Sequence, residues 1–141
     1  MPKTQGTQTV LIIEDELDIQ NFISRVLELE GFGILKAGDG ENGLDMVRDN
    51  PVDLVILDMR LPNVDGWFVL NEIKQDEELK TIPIIVLTAS ADVEKRRRAL
   101  KMGAAQYLVK PLSAHLLSRT VRLILGIKHP GNETPELHAV G

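Results

Sequence analysis

Three short, uninterrupted apolar runs constrain the fold of this chain more than any other feature. They occupy residues 10–13, 54–57 and 84–87, and none of them contains a polar residue. An unbroken apolar run, as opposed to an alternating one, is typical of a strand covered on both faces, as in a parallel sheet between two layers of helices. The runs therefore predict the central strands of such a sheet.

Two weaker runs predict the outer strands. Residues 107–109 form a short apolar run near the end of the chain. The run at residues 32–35 is interrupted by Gly33 and followed by Lys36, which predicts an edge strand there.

Between the runs, apolar residues recur at the spacing of a helix. Five residues show the i, i+3, i+4, i+7, i+8 pattern of one buried helical face: Ile19, Phe22, Ile23, Val26 and Leu27. Four more helices are predicted, around residues 44–47, 69–73, 93–102 and 116–124. Glycines 31 and 126 are expected to end the first and the last helix. The helix at 93–102 differs from the others because its apolar face is thin and a basic run interrupts it.

This alternation of strands and helices predicts an α/β fold with a doubly wound, five-stranded parallel sheet. We assign one domain to residues 9–126, an N-terminal extension to residues 1–8 and a flexible C-terminal tail to residues 127–141. The 141 residues suffice for one such domain with a sizeable core.

Composition excludes several classes of protein. The chain has no cysteine, which excludes a disulfide framework and a thiolate metal site. No run approaches the roughly 18 apolar residues that a membrane helix needs. The net charge of −5 argues against nonspecific binding to nucleic acid or to anionic lipid. We therefore expect a cytoplasmic protein that contacts neither a membrane nor, directly, nucleic acid.

Polar side chains follow four of the predicted strands at the point where each strand ends. Glu14 and Asp15 follow the first strand, Asp58 the third, Thr88 the fourth and Lys110 the fifth. Because the carboxyl ends of parallel strands share one edge of a sheet, these side chains are expected to converge there. Asp58 by itself could merely cap a loop, but the full set is a specific signal.

Charge predicts what this site binds. Glu14, Asp15 and Asp58 would repel one another, so a proton or a cation must lie among them. Lys110 supplies one positive charge, and Mg²⁺ or Mn²⁺, which prefer oxygen ligands, would supply the rest. A carboxylate can attack phosphorus to form an acyl phosphate, here on Asp58. The ammonium of Lys110 and the hydroxyl of Thr88 would then stabilise the charge of the transferred group.

Four motifs resemble the receiver domain of bacterial two-component response regulators, in particular the single-domain receivers of chemotaxis. They read LIIEDE at residues 11–16, LDMRLPNVDG at 57–66, LTA at 87–89 and YLVKP at 107–111. The resemblance implies a flavodoxin-like receiver fold with strand order 2-1-3-4-5. It also implies phosphorelay signal transduction, in which a sensor histidine kinase or a phosphotransfer protein donates the phosphoryl group.

The resemblance further implies a role for each site residue. Asp58 would be the phosphoryl acceptor and a metal ligand, and Asp15 a direct metal ligand. Glu14 would bind the metal through water, and Arg60 would bind it through its backbone carbonyl. The peptide bond between Lys110 and Pro111 would be cis.

We expect Thr88 and Tyr107 to carry the conformational switch. A phosphoryl group on Asp58 offers the Thr88 hydroxyl a strong acceptor and draws it inward. The ring of Tyr107 would then turn from an exposed to a buried position, and the helix at 93–102 would shift because it has few buried apolar contacts. The altered surface would be the one formed by the fourth helix, the fifth strand and the fifth helix. The sequence does not name the downstream partner or output domain that reads this surface.

Other functions share parts of this pattern. An aspartyl-phosphate phosphatase needs a second Asp two residues after its nucleophile, where this chain has Arg60. We therefore predict no enzyme activity beyond phosphorylation and dephosphorylation of the chain's own Asp58. A flavin-binding domain needs a first loop that holds phosphate, which the acidic residues 14–16 would repel. A scaffold receiver that takes no phosphate is disfavoured because the site residues are intact.

A DNA-binding regulator would require that the chain is a fragment of a longer protein. Receivers that dimerise in winged-helix transcription factors usually carry acidic residues where this chain has Ala105 and Gln106. The basic run at residues 95–98 is interpreted as a solvated helix face rather than a nucleic-acid site.

Overall fold

The computed structural model describes residues 7–127, and its strands and helices alternate as predicted. The strands are β1 (Thr9–Ile13), β2 (Gly33–Ala37), β3 (Leu54–Asp58), β4 (Ile84–Thr88) and β5 (Gln106–Val109). The helices are α1 (Leu17–Glu28), α2 (Gly40–Asp49), α3 (Gly66–Gln75), α4 (Val93–Lys101) and α5 (Ala114–Leu125). The predictions for residues 1–6 and 128–141 lie outside the described residues.

The five strands form one parallel sheet in the order β2-β1-β3-β4-β5, which confirms the predicted topology. β2 is an edge strand, as Gly33 and Lys36 indicated. It extends over Gly33–Ala37 rather than residues 32–35, because backbone pairing with β1 sets its bounds. In that pairing Lys36 lies opposite Ile12, and its side chain stays exposed at the edge of the sheet.

Helices cover both faces of the sheet, and the sheet divides the core into two halves. Alternate strand residues point to opposite faces, so in β1 Leu11 and Ile13 belong to one half while Val10 and Ile12 belong to the other. The first half packs against α2, α3 and α4, and the second packs against α1 and α5. The continuous apolar runs follow from this double coverage.

Side chains and glycines fix the ends of several helices. Asp39 caps α2 by accepting from the backbone N–H of Asn42, and Asp65 caps α3 by accepting from that of Phe68. Gly126 ends α5 in the left-handed conformation, with φ of 71°. No helix in the described part of the chain is both long enough and apolar enough to span a membrane.

Candidate functional site

Asp58 lies at the carboxyl end of β3, the middle strand of the sheet, and its carboxylate is almost completely buried. Its Oδ2 accepts a hydrogen bond from Nζ of Lys110 at 3.3 Å. Its Oδ1 accepts one from the backbone N–H of Arg60 at 3.0 Å. These two donors hold the carboxylate in a fixed orientation and partly balance its charge.

The start of α3 packs directly against the backbone of Asp58 and Met59, and Gly66 makes that possible. A Cβ atom at position 66 would lie 2.5 Å from Cα of Met59 and 2.7 Å from the backbone oxygen of Asp58. The absence of a side chain at Gly66 therefore provides the space for this close approach.

Two further carboxylates lie beside Asp58, on the loop that follows β1. Oxygen atoms of Glu14, Asp15 and Asp58 all lie within 4.8 Å of one another. Glu14 is fully buried, whereas Asp15 is exposed, so the cluster reaches from the core to the solvent.

Lys110 bridges this cluster from the end of β5. Its Nζ lies 3.1 Å from Oε1 of Glu14 and 3.7 Å from Oε1 of Glu16, in addition to its contact with Asp58. Burial lowers the pKa of Lys110, but the Asp58 and Glu14 carboxylates more than offset this, and its pKa is raised overall. The ammonium therefore stays charged, and the peptide that joins it to Pro111 is cis, as the family resemblance implied.

One ammonium does not fully compensate the buried negative charge. Burial and, to a smaller extent, the Asp58 carboxylate together raise the pKa of Glu14 from 4.5 to about 7, although the Glu16 amide and Lys110 oppose the shift. Oε1 of Glu14 accepts no well-formed hydrogen bond from the residues that the structure describes, although Nζ of Lys110 is close to it. The site therefore favours either a proton on Glu14 or an additional cation.

Thr88 and Tyr107 lie next to this site and contact the same loop. The hydroxyl oxygen of Thr88, at the end of β4, accepts from the backbone N–H of Ser90 at 3.1 Å. The Tyr107 hydroxyl donates to the backbone carbonyl of Ser90 at 3.0 Å. The ring of Tyr107 is only 7% exposed, so the expectation of an exposed ring before phosphorylation is wrong for this structure. The ring is buried because it packs in the apolar core while its hydroxyl finds a carbonyl partner.

An open depression of about 450 Å³ lies beside Thr88 and Tyr107. Its walls come from the loops after β3 and β4, from the first turns of α3 and α4, and from β5: Met59, Arg60, Trp67, Thr88, Ala89, Ser90, Lys95 and Tyr107. The two predicted switch residues, Thr88 and Tyr107, thus line the same depression as the first turns of α3 and α4.

The family model for the response regulator receiver domain matches residues 10–122. The chain belongs to the response regulator receiver family.

Relatives and solved structures agree with this assignment. The chain is 38% identical over 118 residues to the probable transcriptional regulator ycf27 of Guillardia theta, a match that covers 84% of this chain and 45% of that protein. A putative response regulator from Chloroflexus aurantiacus has a TM-score of 0.81 and 32% identity, and the match covers 85% of this chain and 98% of that one. The chain spans about half the length of the curated relatives it matches.

A third similar protein bears on the acidic cluster. The receiver domain of a sensor histidine kinase from Pseudomonas aeruginosa has a TM-score of 0.78 and 31% identity, over 85% of this chain and 98% of that one. It was solved with a magnesium ion coordinated in its active-site cleft. In this receiver domain, the donor set of Glu14, Asp15 and Asp58 fits such an ion, because all three offer carboxylate oxygens and Glu14 has one that is buried without a hydrogen bond.

The side chain of Arg98 explains how α4 is held on this receiver domain. Ala99 is the one buried residue that α4 contributes, so apolar packing anchors the helix weakly. The guanidinium carbon of Arg98 lies 4.1 Å from the ring centroid of Trp67, at the start of α3. This cation–π contact ties α4 to α3. The sequence predicted only that the basic run at residues 95–98 is solvated, since a contact between two helices is not visible in local spacing.

Removing this contact should loosen α4. Arg98→Ala is expected to speed amide exchange in α4 about two- to fivefold, because an exposed cation–π contact contributes about 0.5–1 kcal/mol. The emission of Trp67, the single tryptophan of the chain, should change with it. Arg96→Ala removes the same charge from the same helix without touching Trp67 and serves as the control. Equal exchange in the two variants would show that the contact does not hold the helix.

Proposed function

We propose that Asp58 accepts a phosphoryl group from a phosphohistidine of a sensor histidine kinase or a phosphotransfer protein. The observation that carries this proposal is the buried Asp58 carboxylate, oriented by Lys110 and the Arg60 amide at the edge of the sheet. In the transfer, an Asp58 oxygen forms the bond to phosphorus while the N–P bond to histidine breaks, and that electron pair returns to the imidazole nitrogen. Lys110 and the Thr88 hydroxyl would stabilise the oxygens of the transferred group.

Magnesium would be held by the residues around this carboxylate. Asp15 and Asp58 would bind it directly, Glu14 through water and Arg60 through its backbone carbonyl, and manganese could replace it. When bound, the ion supplies positive charge that offsets both the carboxylates and the phosphoryl oxygens. The raised pKa of Glu14 supports this assignment, since without a cation the cluster favours a proton.

The output would be a change of surface and not the turnover of an external substrate. Arg60 occupies the position where a phosphatase would need a second Asp, so the chemistry would be confined to Asp58. We propose that residues 9–126 act as the signalling unit, in the cytoplasm. They would pass their state to a protein partner or output domain through α4, β5 and α5, without contacting nucleic acid themselves. The switch would involve Thr88 and Tyr107, with Tyr107 already in its buried position in the present structure.

A phosphoryl analogue tests this function. Beryllofluoride with millimolar Mg²⁺ should shift the amide resonances around Asp15, Asp58 and Thr88. Asp15→Asn should need at least about tenfold more Mg²⁺ for the same response, because it removes the negative charge of a direct ligand. Asp18→Asn removes the same charge from an exposed position in α1 and should respond as the original chain does. The site would be refuted if the amide resonances did not shift, or if Asp15→Asn and Asp18→Asn needed the same concentration of Mg²⁺.

A further inference from the structure

One long stretch of the sequence of this receiver domain contains no acidic residue. Between Glu94 and Glu133 the sequence contains neither Asp nor Glu, although the chain has 21 of them and a net charge of −5. Within the described residues, which end at 127, the same stretch contains eight basic residues, and a ninth, Lys128, follows: the eight are Lys95, Arg96, Arg97, Arg98, Lys101, Lys110, Arg119 and Arg122. Nearly all of α4 and the whole of β5 and α5 come from this stretch, so positive charge is concentrated around one edge of the sheet.

Half of the eight described cations already have a partner within the domain. Four of them have a partner among the described residues: Lys110 with Glu14 and Asp58, Arg122 with Glu30, Arg97 with Glu94, and Arg98 with the Trp67 ring. The other four are exposed and form no ion pair within residues 7–127: Lys95, Arg96, Lys101 and Arg119. Their charge is therefore available to a partner.

Exposed apolar side chains lie among these free cations. They are Leu100 on α4, Val109 on β5, and Leu116 and Leu123 on α5. Arg96 lies four residues before Leu100, and Arg119 lies between the two leucines of α5, so cation and leucine are neighbours on each helix surface. We call these six residues the α4–β5–α5 face.

We propose that the α4–β5–α5 face docks an acidic segment of another protein, with apolar side chains set among its carboxylates. The proposal rests on the proposed function, because it names the kind of partner that the switched surface recognises. Carboxylates of the partner would pair with Arg96 and Arg119. Apolar side chains of the partner would cover the exposed apolar residues of the face, Leu100, Val109, Leu116 and Leu123. The positive field would also speed encounter with an acidic partner.

A second copy of this chain does not fit the same face. A two-fold symmetric contact sets one surface patch against itself. Residues 95–125 would then oppose cations with cations, and the stretch offers no carboxylate to intervene. Juxtaposed like charges disfavour such a pairing.

Three probes test the chemistry of the partner. The full chain, with Mg²⁺ and beryllofluoride, is titrated with a synthetic helical peptide of Glu and Leu, about fifteen residues long. The same peptide with Lys in place of Glu and a short DNA duplex are titrated in parallel. The acidic peptide should bind and shift amide resonances within residues 95–125, and binding should weaken as salt is raised. Arg96→Glu and Arg119→Glu should each weaken it about fivefold or more.

Lys36→Glu is the matched control, because it makes the same charge change on β2, at the opposite edge of the sheet. It should leave the affinity for the acidic peptide unchanged. The proposal is overturned if the acidic peptide does not bind, if the basic peptide or the DNA binds better, or if Lys36→Glu weakens binding as much as the other variants. A dimer in sedimentation of the beryllofluoride form would also overturn it.

Phosphorylation of Asp58, measured on the same protein, separates this proposal from the proposed function. If the protein takes up the phosphoryl group but does not bind the acidic peptide, the proposed function stands and the proposed partner is wrong. If the protein binds the peptide through Arg96 and Arg119 but takes up no phosphoryl group, the docking surface stands and the proposed function is wrong.

Discussion

Asp58→Asn should take up no phosphoryl group, whereas the original chain should gain one. With a small acyl phosphate and Mg²⁺, the gain is expected as a single addition in the intact mass. The reason is chemical, since the neutral amide of asparagine lacks the charged oxygen that attacks phosphorus. The substitution keeps the shape of the side chain in the buried pocket, so the fold should survive.

Asp45→Asn provides the matched control for this experiment. It removes the same charge from an exposed position on α2, away from the carboxylate cluster, and should be labelled like the original chain. Labelling of Asp58→Asn at the original rate would assign the acceptor to another residue. Peptide mapping would then show whether Asp15 or Glu14 had taken the group.

The fold could be predicted from the sequence because its central strands are covered on both faces. Residues 10–13, 54–57 and 84–87 are apolar without interruption, and such runs have few other structural solutions in a domain of this size. The edge strand was located less precisely. Lys36 of β2 pairs with β1 although it is polar, because a solvent-exposed edge strand does not require an apolar side chain at that position. The apolar run therefore did not mark the end of the strand.

The site could be predicted to the level of its residues but not to that of their contacts. Parallel topology alone brings Glu14, Asp15, Asp58, Thr88 and Lys110 to one edge of the sheet. The bridge of Lys110 to both Glu14 and Asp58 depends on side-chain geometry, which the spacing of residues does not contain. The burial of Tyr107 depends likewise on a hydrogen bond to a backbone carbonyl 17 residues away.

Replacing Glu14 by Gln should stabilise the metal-free domain above neutral pH. Burial raises the pKa of Glu14 from 4.5 to about 7, so the native state holds its proton more tightly than the unfolded chain does. The contribution of Glu14 to the free energy of unfolding is therefore complete below pH 4.5, falls as the pH rises to about 7 and stays low above it. The loss corresponds to on the order of 3 kcal/mol. Urea unfolding at pH 8 in a chelator should show Glu14→Gln as the more stable protein by up to that amount.

Magnesium should reduce or reverse this difference. The charged Glu14 helps to hold the hydrated ion, and an ion bound only by the native state adds its binding free energy to stability. Glu28→Gln makes the same charge change at an exposed position of α1 and should show neither effect. If Glu14→Gln were no more stable than the original chain at pH 8 without metal, Lys110 alone would neutralise the buried carboxylates. The electrostatic argument for a cation beside Asp58 would then fail, and the metal site would rest only on the oxygen ligands that the three carboxylates offer.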